Sequence, residues 1–133
     1  MEVVNTLDID GTQWEIQDEE ARRKIAEYNE VTSESLDFKE ASILCVKINK
    51  IVNMHISNKV TIPAHSNKIL IDKLPKEYFP FTGDFRSSFI NNAVDDVCGQ
   101  IIIRESGQVI LYNSSDYDVS SYNAVIYLNY ITK

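Results

Sequence analysis

The sequence has few of the residues and patterns that mark several classes of protein. Glycine, proline and cysteine occur only four, three and two times in 133 residues, and we find no internal repeat and no low-complexity tract. No run of apolar residues approaches the roughly 20 that cross a bilayer. Residues 1–20 lack the basic start and apolar middle of a secretion signal. We therefore expect neither a transmembrane helix nor export by the general secretion route.

The sequence also has fewer basic than acidic residues. Thirteen Lys and Arg are outnumbered by twenty Asp and Glu, which gives a formal net charge of −7. Because such a chain is poorly suited to neutralise an array of phosphates, nucleic acid and anionic membrane are disfavoured as partners. The length fits a single domain, and 44% hydrophobic residues are enough for one core.

The two cysteines lie in apolar, strand-like segments. Cys45 and Cys98 show neither a C-x-x-C spacing nor paired histidines, so they match neither a metal knuckle nor a disulfide framework. We expect two buried free thiols, with no bound metal and no cofactor.

The turn of a predicted hairpin at the start of the chain is similar in sequence to a catalytic motif. Val3–Ile9 and Thr12–Ile16 are β-prone, and Asp10-Gly11 between them is a strong two-residue turn signal. The run DIDGT at residues 8–12 also resembles the nucleophile loop of haloacid-dehalogenase phosphatases, which need a parallel sheet to bring further catalytic groups to it. Since the rest of the chain predicts no parallel sheet, we interpret the motif as a turn.

A helix is predicted directly after this hairpin, over Asp18–Glu30. Asp18 is a suitable N-cap, and acidic residues occupy the first turn. Ala21, Ile25 and Tyr28 recur at i, i+4 and i+7. This apolar stripe is narrow, which suits the seam of a coiled coil better than a broad core-facing surface.

The hydrophobic period changes from helical to alternating near residue 36. The segments that predict short strands are 41–48, 52–56, 59–62, 68–71, 85–90, 98–104, 108–112 and 122–131. Turn-forming residues separate them, Glu105–Gly107 among these, and no helical period intervenes. The spacing is typical of an antiparallel β-sandwich or jelly roll. We therefore expect a mainly β protein, with a hairpin and helix at residues 1–33 and a β-sandwich head at residues 34–133.

Two stretches resemble tail-fibre and baseplate proteins of phages that infect Gram-positive bacteria. The first is similar to a hairpin that leads into a trimerising A-R-x-x-I helix, and its residues are Ile9–Gly11, Trp14–Asp18 and Ala21–Ile25. The second is similar to the head domain of such fibres, and its residues are Ile69–Pro75, Tyr78–Pro80, Gly99–Ile103 and Gly107–Tyr112. One departure is the helix, which is shorter than the stalk of many fibres.

The resemblance implies a receptor-binding protein of a phage or prophage virion. Such a protein is expected to be a non-catalytic homotrimer, in which the helices meet on a threefold axis through Ala21, Ile25 and Tyr28 and the β heads lie side by side. The expected partners are a bacterial surface polysaccharide and other phage tail proteins. The protein would be made in the bacterial cytoplasm and located in the phage tail. A helix of about 13 residues is marginal alone in water, and a trimer axis would supply packing partners.

The loop between Tyr112 and Tyr122 is the clearest candidate for a ligand site. Its composition is that of adaptable binding loops, in which aromatic faces supply contact area and short polar side chains supply hydrogen bonds. The candidate ligand-binding residues are Asn113, Asp116, Tyr117, Asp118 and Tyr122. Tyr117 is suited to stack on the C–H face of a sugar. The alternative is a solvated loop whose tyrosines fold back on the sheet.

The last predicted strand has two different faces. The first is expected in the core, and it consists of Tyr122, Ala124, Ile126, Leu128 and Tyr130. The second mixes amides with apolar groups, and it consists of Asn123, Val125, Tyr127, Asn129 and Ile131. Because this mixture suits a subunit interface, we expect Tyr127 and Asn129 to contribute to oligomerisation.

Histidines and a few carboxylates supply the remaining candidates. His55 is expected on the outward side of its strand and His65 in a turn, although one histidine from each subunit of a trimer can bind an ion on the axis. A glycosidase needs two carboxylates about 5 to 10 Å apart, and the residues to inspect are Asp95, Asp96 and Glu105. Two alternatives to the receptor-binding function remain. The second hypothesis is an assembly component that docks on another tail protein, and the third is a small glycan depolymerase.

Overall fold

The strands follow the alternation of apolar and polar residues in the sequence. A computed structural model describes residues 31–133. The expected N-terminal hairpin and helix, with Ala21, Ile25 and Tyr28, lie outside the described residues. The strands of the described range are β1 Val31–Asp37, β2 Ala41–Ile48, β3 Ile51–Asn58, β4 Ser66–Ile71, β5 Phe85–Asn91, β6 Asp96–Ile103, β7 Val109–Asn113 and β8 Ala124–Ile131. One short 3-10 helix, Lys76–Tyr78, lies between β4 and β5.

All eight of these strands belong to one antiparallel sheet, in the order β1-β2-β3-β8-β5-β6-β7-β4. Strand β8 joins the two halves of the sheet. Its first two residues pair with the end of β5, and its residues from Ile126 to Ile131 pair with β3. The mainly β, antiparallel architecture expected from the sequence is thus confirmed, in the form of a curled eight-stranded sheet.

The core of the described residues forms from the inward faces of both halves of the sheet. One half contributes Ala41, Ile43, Cys45, Val52, Met54, Ile56, Ala124, Ile126, Leu128 and Tyr130. The other half contributes, among others, Phe89, Cys98, Ile101, Ile103, Val109 and Leu111. Burial of one large apolar side chain contributes about 1.5–3 kcal/mol relative to exposure. Since both sets belong to one cluster of buried residues, the curl of the sheet is what produces a continuous core.

Most of the predicted strands are present with small shifts of their ends. Strand β2 has the predicted bounds, Ala41–Ile48, but one prediction is wrong. Residues 59–62 are not a strand, because only Ile62 forms a bridge and Pro63 after it has no N–H to continue a ladder. Strand β1, at the start of the described residues, is a mostly polar edge strand that the alternation of apolar residues does not reveal.

Two glycines fix the hairpin of β6 and β7, which leads into the candidate loop. The predicted turn closes with a hydrogen bond from the Arg104 amide to the Gln108 carbonyl, at 2.8 Å. Gly107 has a φ of +90°, and a Cβ there would lie 2.3 Å from the Phe79 ring. A Cβ on Gly99 would lie 1.8 Å from the Tyr112 carbonyl oxygen. Both positions therefore require glycine.

A buried cluster connects β1, β2, β8 and the 3-10 helix. The Tyr78 hydroxyl donates a hydrogen bond to the Glu34 carboxylate, and the Tyr130 hydroxyl donates to the Tyr78 carbonyl at 2.8 Å. Burial raises the pKa of the Cys45 thiol to about 12 and also raises the pKa of both tyrosines. Cys45 and Cys98 are both buried and free, which confirms the prediction.

Within residues 31–133, no helix has the length and apolar character of a membrane span.

Candidate functional site

The loop between β7 and β8 is held in place by Asn113, the last residue of β7. The Asn113 side chain is 2% exposed. Its Nδ2 donates hydrogen bonds to the carbonyls of Ile62, Pro63 and Tyr117 at 3.2, 3.1 and 2.7 Å. Its Oδ1 accepts hydrogen bonds from the Ser115 amide and hydroxyl at 3.1 and 2.7 Å. Asn113, expected as a ligand residue, is therefore a buried brace of the loop, with its polar atoms already bonded within the protein.

The two aspartates of the loop are tied to the segment between β3 and β4. Asp118 Oδ1 accepts a hydrogen bond from the Ala64 amide at 2.9 Å. Asp116 Oδ1 lies 2.6 Å from His65 Nε2. His65 is in a turn, as predicted, and has a φ of +54°. Both contacts are at the surface, so the carboxylates are oriented by the protein while remaining accessible to a ligand.

The loop also presents two exposed tyrosines. Tyr117 is 50% exposed and Tyr122 is 62% exposed. The expectation that Tyr122 faces the core is wrong, because it precedes β8 and has a φ of +63°, which turns it out of the strand alternation. Its amide donates to the Asn58 carbonyl at 2.7 Å. The rest of that predicted face, from Ala124 to Tyr130, is buried as expected.

The loop places aromatic rings and carboxylates at the surface of one segment. Aromatic rings can stack on the C–H face of a sugar, and oriented carboxylates can accept hydrogen bonds from its hydroxyls. Of the five expected ligand residues, the structure leaves Asp116, Tyr117, Asp118 and Tyr122 at the surface of the loop.

A second candidate surface lies on the outer face of β2, β3 and β8. Cross-strand pairing places one residue from each strand side by side in three successive rows. The rows are Leu44, His55 and Tyr127; Val46, Asn53 and Asn129; and Ile48, Ile51 and Ile131. We call these nine residues the outer patch. They include no Asp, Glu, Lys or Arg, although the chain has a formal net charge of −7.

The outer patch contains both residues expected at an oligomer interface. Tyr127 is 70% exposed, and its ring stacks on His55 with ring centroids 4.6 Å apart. Asn129 Nδ2 donates to Asn53 Oδ1 at 2.7 Å. A shallow depression of about 260 Å³ lies between these residues and Leu44. The outward position predicted for His55 is confirmed.

Sequence reasoning missed the contribution of β2 to this patch. Residues 43–48 form an almost unbroken apolar run. In this run, outward Leu44 and Val46 alternate with inward Ile43 and Cys45, so the sequence does not distinguish the two faces. The available signal was the run itself, because a strand of an antiparallel sheet that faces solvent on one side alternates apolar and polar residues. Apolar residues on both faces of β2 indicate that its outer face is also a contact surface.

Of the carboxylates considered for hydrolysis, Glu105 lies far from the two aspartates. Asp95 and Asp96 are adjacent at the start of β6, whereas Glu105 follows its end and lies 3.6 Å from Lys133. A strand rises about 3.3 Å per residue, so Glu105 is separated from both aspartates by roughly 20 Å or more. This separation does not match a glycosidase pair. In the part of the chain that the structure describes, no three His, Cys, Asp or Glu side chains are grouped as metal ligands.

No protein-family model matches the chain, and a search of the curated proteins finds no match either.

Proposed function

We propose that this chain is a non-catalytic receptor-binding module of a phage or prophage tail fibre or baseplate. In this proposal it is a homotrimer in which residues 1–33 are the attachment and trimerisation segment. The β head, expected as a sandwich or jelly roll and present as a curled sheet, recognises a bacterial surface polysaccharide. The observation that supports this function is the β7–β8 loop, where exposed tyrosines and oriented carboxylates share one braced segment.

Pre-ordering of the loop matters because a flexible loop loses conformational freedom when it binds. Asn113 already makes its hydrogen bonds in the free protein, so less ordering remains for the moment of binding. The net charge of −7 disfavours wall polymers that carry phosphate. We therefore propose a neutral polysaccharide as the receptor.

A second function, docking on another tail protein, is supported by the outer patch. Exposed apolar surface of this kind marks interfaces between proteins. A depolymerase is the least supported function, because Glu105 stands at the opposite end of β6 from Asp95 and Asp96.

The test is retention of the chain on an array of bacterial surface polysaccharides. We expect retention on a subset of neutral polysaccharides and no release of new reducing ends. Tyr117→Ala should weaken retention at least tenfold, because a stacking ring is lost from the site; tenfold corresponds to about 1.4 kcal/mol. Val97→Ala is the control, since Val97 is 57% exposed and lies on β6, outside the loop.

Two results would contradict this function. Retention on no polysaccharide, with binding to isolated phage tails instead, would favour the assembly component. New reducing ends in the bound polysaccharide would favour the depolymerase.

A further inference from the structure

We propose that the outer patch, extended by Phe81, is the surface through which the β heads of three copies of this chain meet on a threefold axis. The inference depends on the homotrimer of the proposed function, and it deepens that function by naming the contact surface on the head. It uses none of the loop residues that are proposed to bind polysaccharide.

The outer patch and Phe81 together expose a large apolar area. The large apolar side chains of this surface are Leu44, Ile48, Ile51, Phe81, Tyr127 and Ile131, which are 48%, 37%, 45%, 59%, 70% and 58% exposed. With about 200 Å² for each fully exposed side chain, together they expose on the order of 600 Å². The largest apolar patch of a monomer is about 300–600 Å², and a stable interface buries about 800 Å² on each partner. The surface therefore supplies most of the area that an interface between copies needs.

Phe81 extends the patch at its edge. The Phe81 amide donates a hydrogen bond to the Ile131 carbonyl at 2.8 Å, which holds this residue beside the end of β8. A shallow depression of about 410 Å³ lies between Phe81, Phe85, Asn129 and Ile131. Asp84 also lines this depression, and its charge is paired with Arg104 at 3.0 Å. The depression follows the one beside Tyr127 along the same strand, with Asn129 lining both. The exposed rings of Phe81 and Tyr127 lie beside these two depressions. A side chain that projects from one copy can therefore fit into a depression of another.

The charge of the patch also favours contact between copies. Copies of a chain with a net charge of −7 repel one another, and the repulsion is weakest where the facing surfaces carry no charge. The outer patch has no Asp, Glu, Lys or Arg that would steer a partner of opposite charge. On a threefold axis the other two copies present the same uncharged patch, and they are therefore the partners that fit.

The test is the mass of the full chain by light scattering over a range of concentrations. We expect about three times the chain mass of 15.2 kDa for the wild type. Ile131→Asp and Leu44→Asp should each raise the concentration needed for association at least tenfold, because each places a carboxylate in the apolar contact. The matched controls are Val97→Asp and Ile69→Asp, whose residues are 57% and 43% exposed on other strands, and they should behave as the wild type.

A second measurement needs no substitution. Hydroxyl-radical footprinting of the wild type should show Leu44, Tyr127 and Ile131 protected at high protein concentration and reactive at low concentration. A monomeric wild type at 100 µM would overturn the inference. A wild-type oligomer that both patch variants leave intact, without protection of these side chains, would overturn it as well, since the contacts would then lie elsewhere in the chain.

The array experiment separates this inference from the proposed function. Polysaccharide retention together with an oligomer that Ile131→Asp does not weaken would remove the patch contact and leave the function in place. An oligomer that Ile131→Asp dissociates, without retention on any polysaccharide, would leave the contact in place and remove the receptor function.

Discussion

At the scale of single residues, Asn113 sets the conformation of the loop that we propose as the receptor site. Its amide donates to carbonyls in two different segments, one of them about 50 residues earlier in the chain. A side chain of this type looks the same in the sequence whether it faces solvent or bridges two loops. Its burial follows from the return of the Ile62–Pro63 segment to the end of β7, which only the folded sheet reveals.

Replacement of Asn113 should destabilise the protein more than replacement of an exposed asparagine. Asn113→Ala removes the donor for three backbone carbonyls, and we expect the free energy of unfolding to fall by about 2–3 kcal/mol. Asn67→Ala is the control, because Asn67 is exposed on β4, and it should change the free energy by no more than about 0.5 kcal/mol. Urea unfolding measures both. Equal effects of the two substitutions would show that Asn113 does not brace the loop.

At the scale of secondary-structure elements, one cluster connects the 3-10 helix to strands β1, β2 and β8 of the sheet. Its residues are Glu34, Cys45, Tyr78 and Tyr130. The ordinary pKa values of the thiol and the phenols are 9.0 and 10.0, and the folded protein raises them. Above about pH 9 the unfolded chain therefore binds fewer protons than the folded chain. The contribution of these groups to the free energy of unfolding is fully present below this pH. It is lost as the pH rises towards the pKa values of the folded protein.

We expect the urea midpoint to be lower near pH 10.5 than near pH 8. Tyr78→Phe should reduce this dependence on pH, because the variant has no buried phenol to ionise at that position. Tyr122→Phe, at an exposed tyrosine, is the control and should keep the wild-type dependence. A midpoint that is equal at both pH values would contradict the role of the buried cluster.

The elements themselves could be predicted where apolar residues are frequent and turn-forming residues flank them, as in β2 and β8. The pairing of the strands could not. Ile51 pairs with Ile131, and no local pattern indicates that the last strand enters the sheet between β3 and β5. Strand β1 was missed for a related reason, since its polar residues become a strand by pairing with β2 at the edge of the sheet.

At the scale of the whole described head, β8 links the two proposed surfaces. The loop enters β8 at Ala124, and the outer patch extends along the strand from Tyr127, roughly 10 Å further on, to Ile131, roughly 20 Å further on. Contact between copies through the patch therefore leaves the loops free at the other end of β8. Three loops in one assembly would bind a repeating polysaccharide more tightly than one, because the second and third contacts become intramolecular. This arrangement is consistent with the proposed receptor function.

The most direct test of the proposed function is a map of amide chemical shifts during titration with soluble fragments of a polysaccharide that the array retains. We predict the largest shifts at residues 114–122 and at His65, with smaller changes on the outer face of β2 and β3. Saturating binding that shifts only the amides of the outer patch, or that leaves the loop unchanged, would contradict the assignment of the β7–β8 loop as the receptor site.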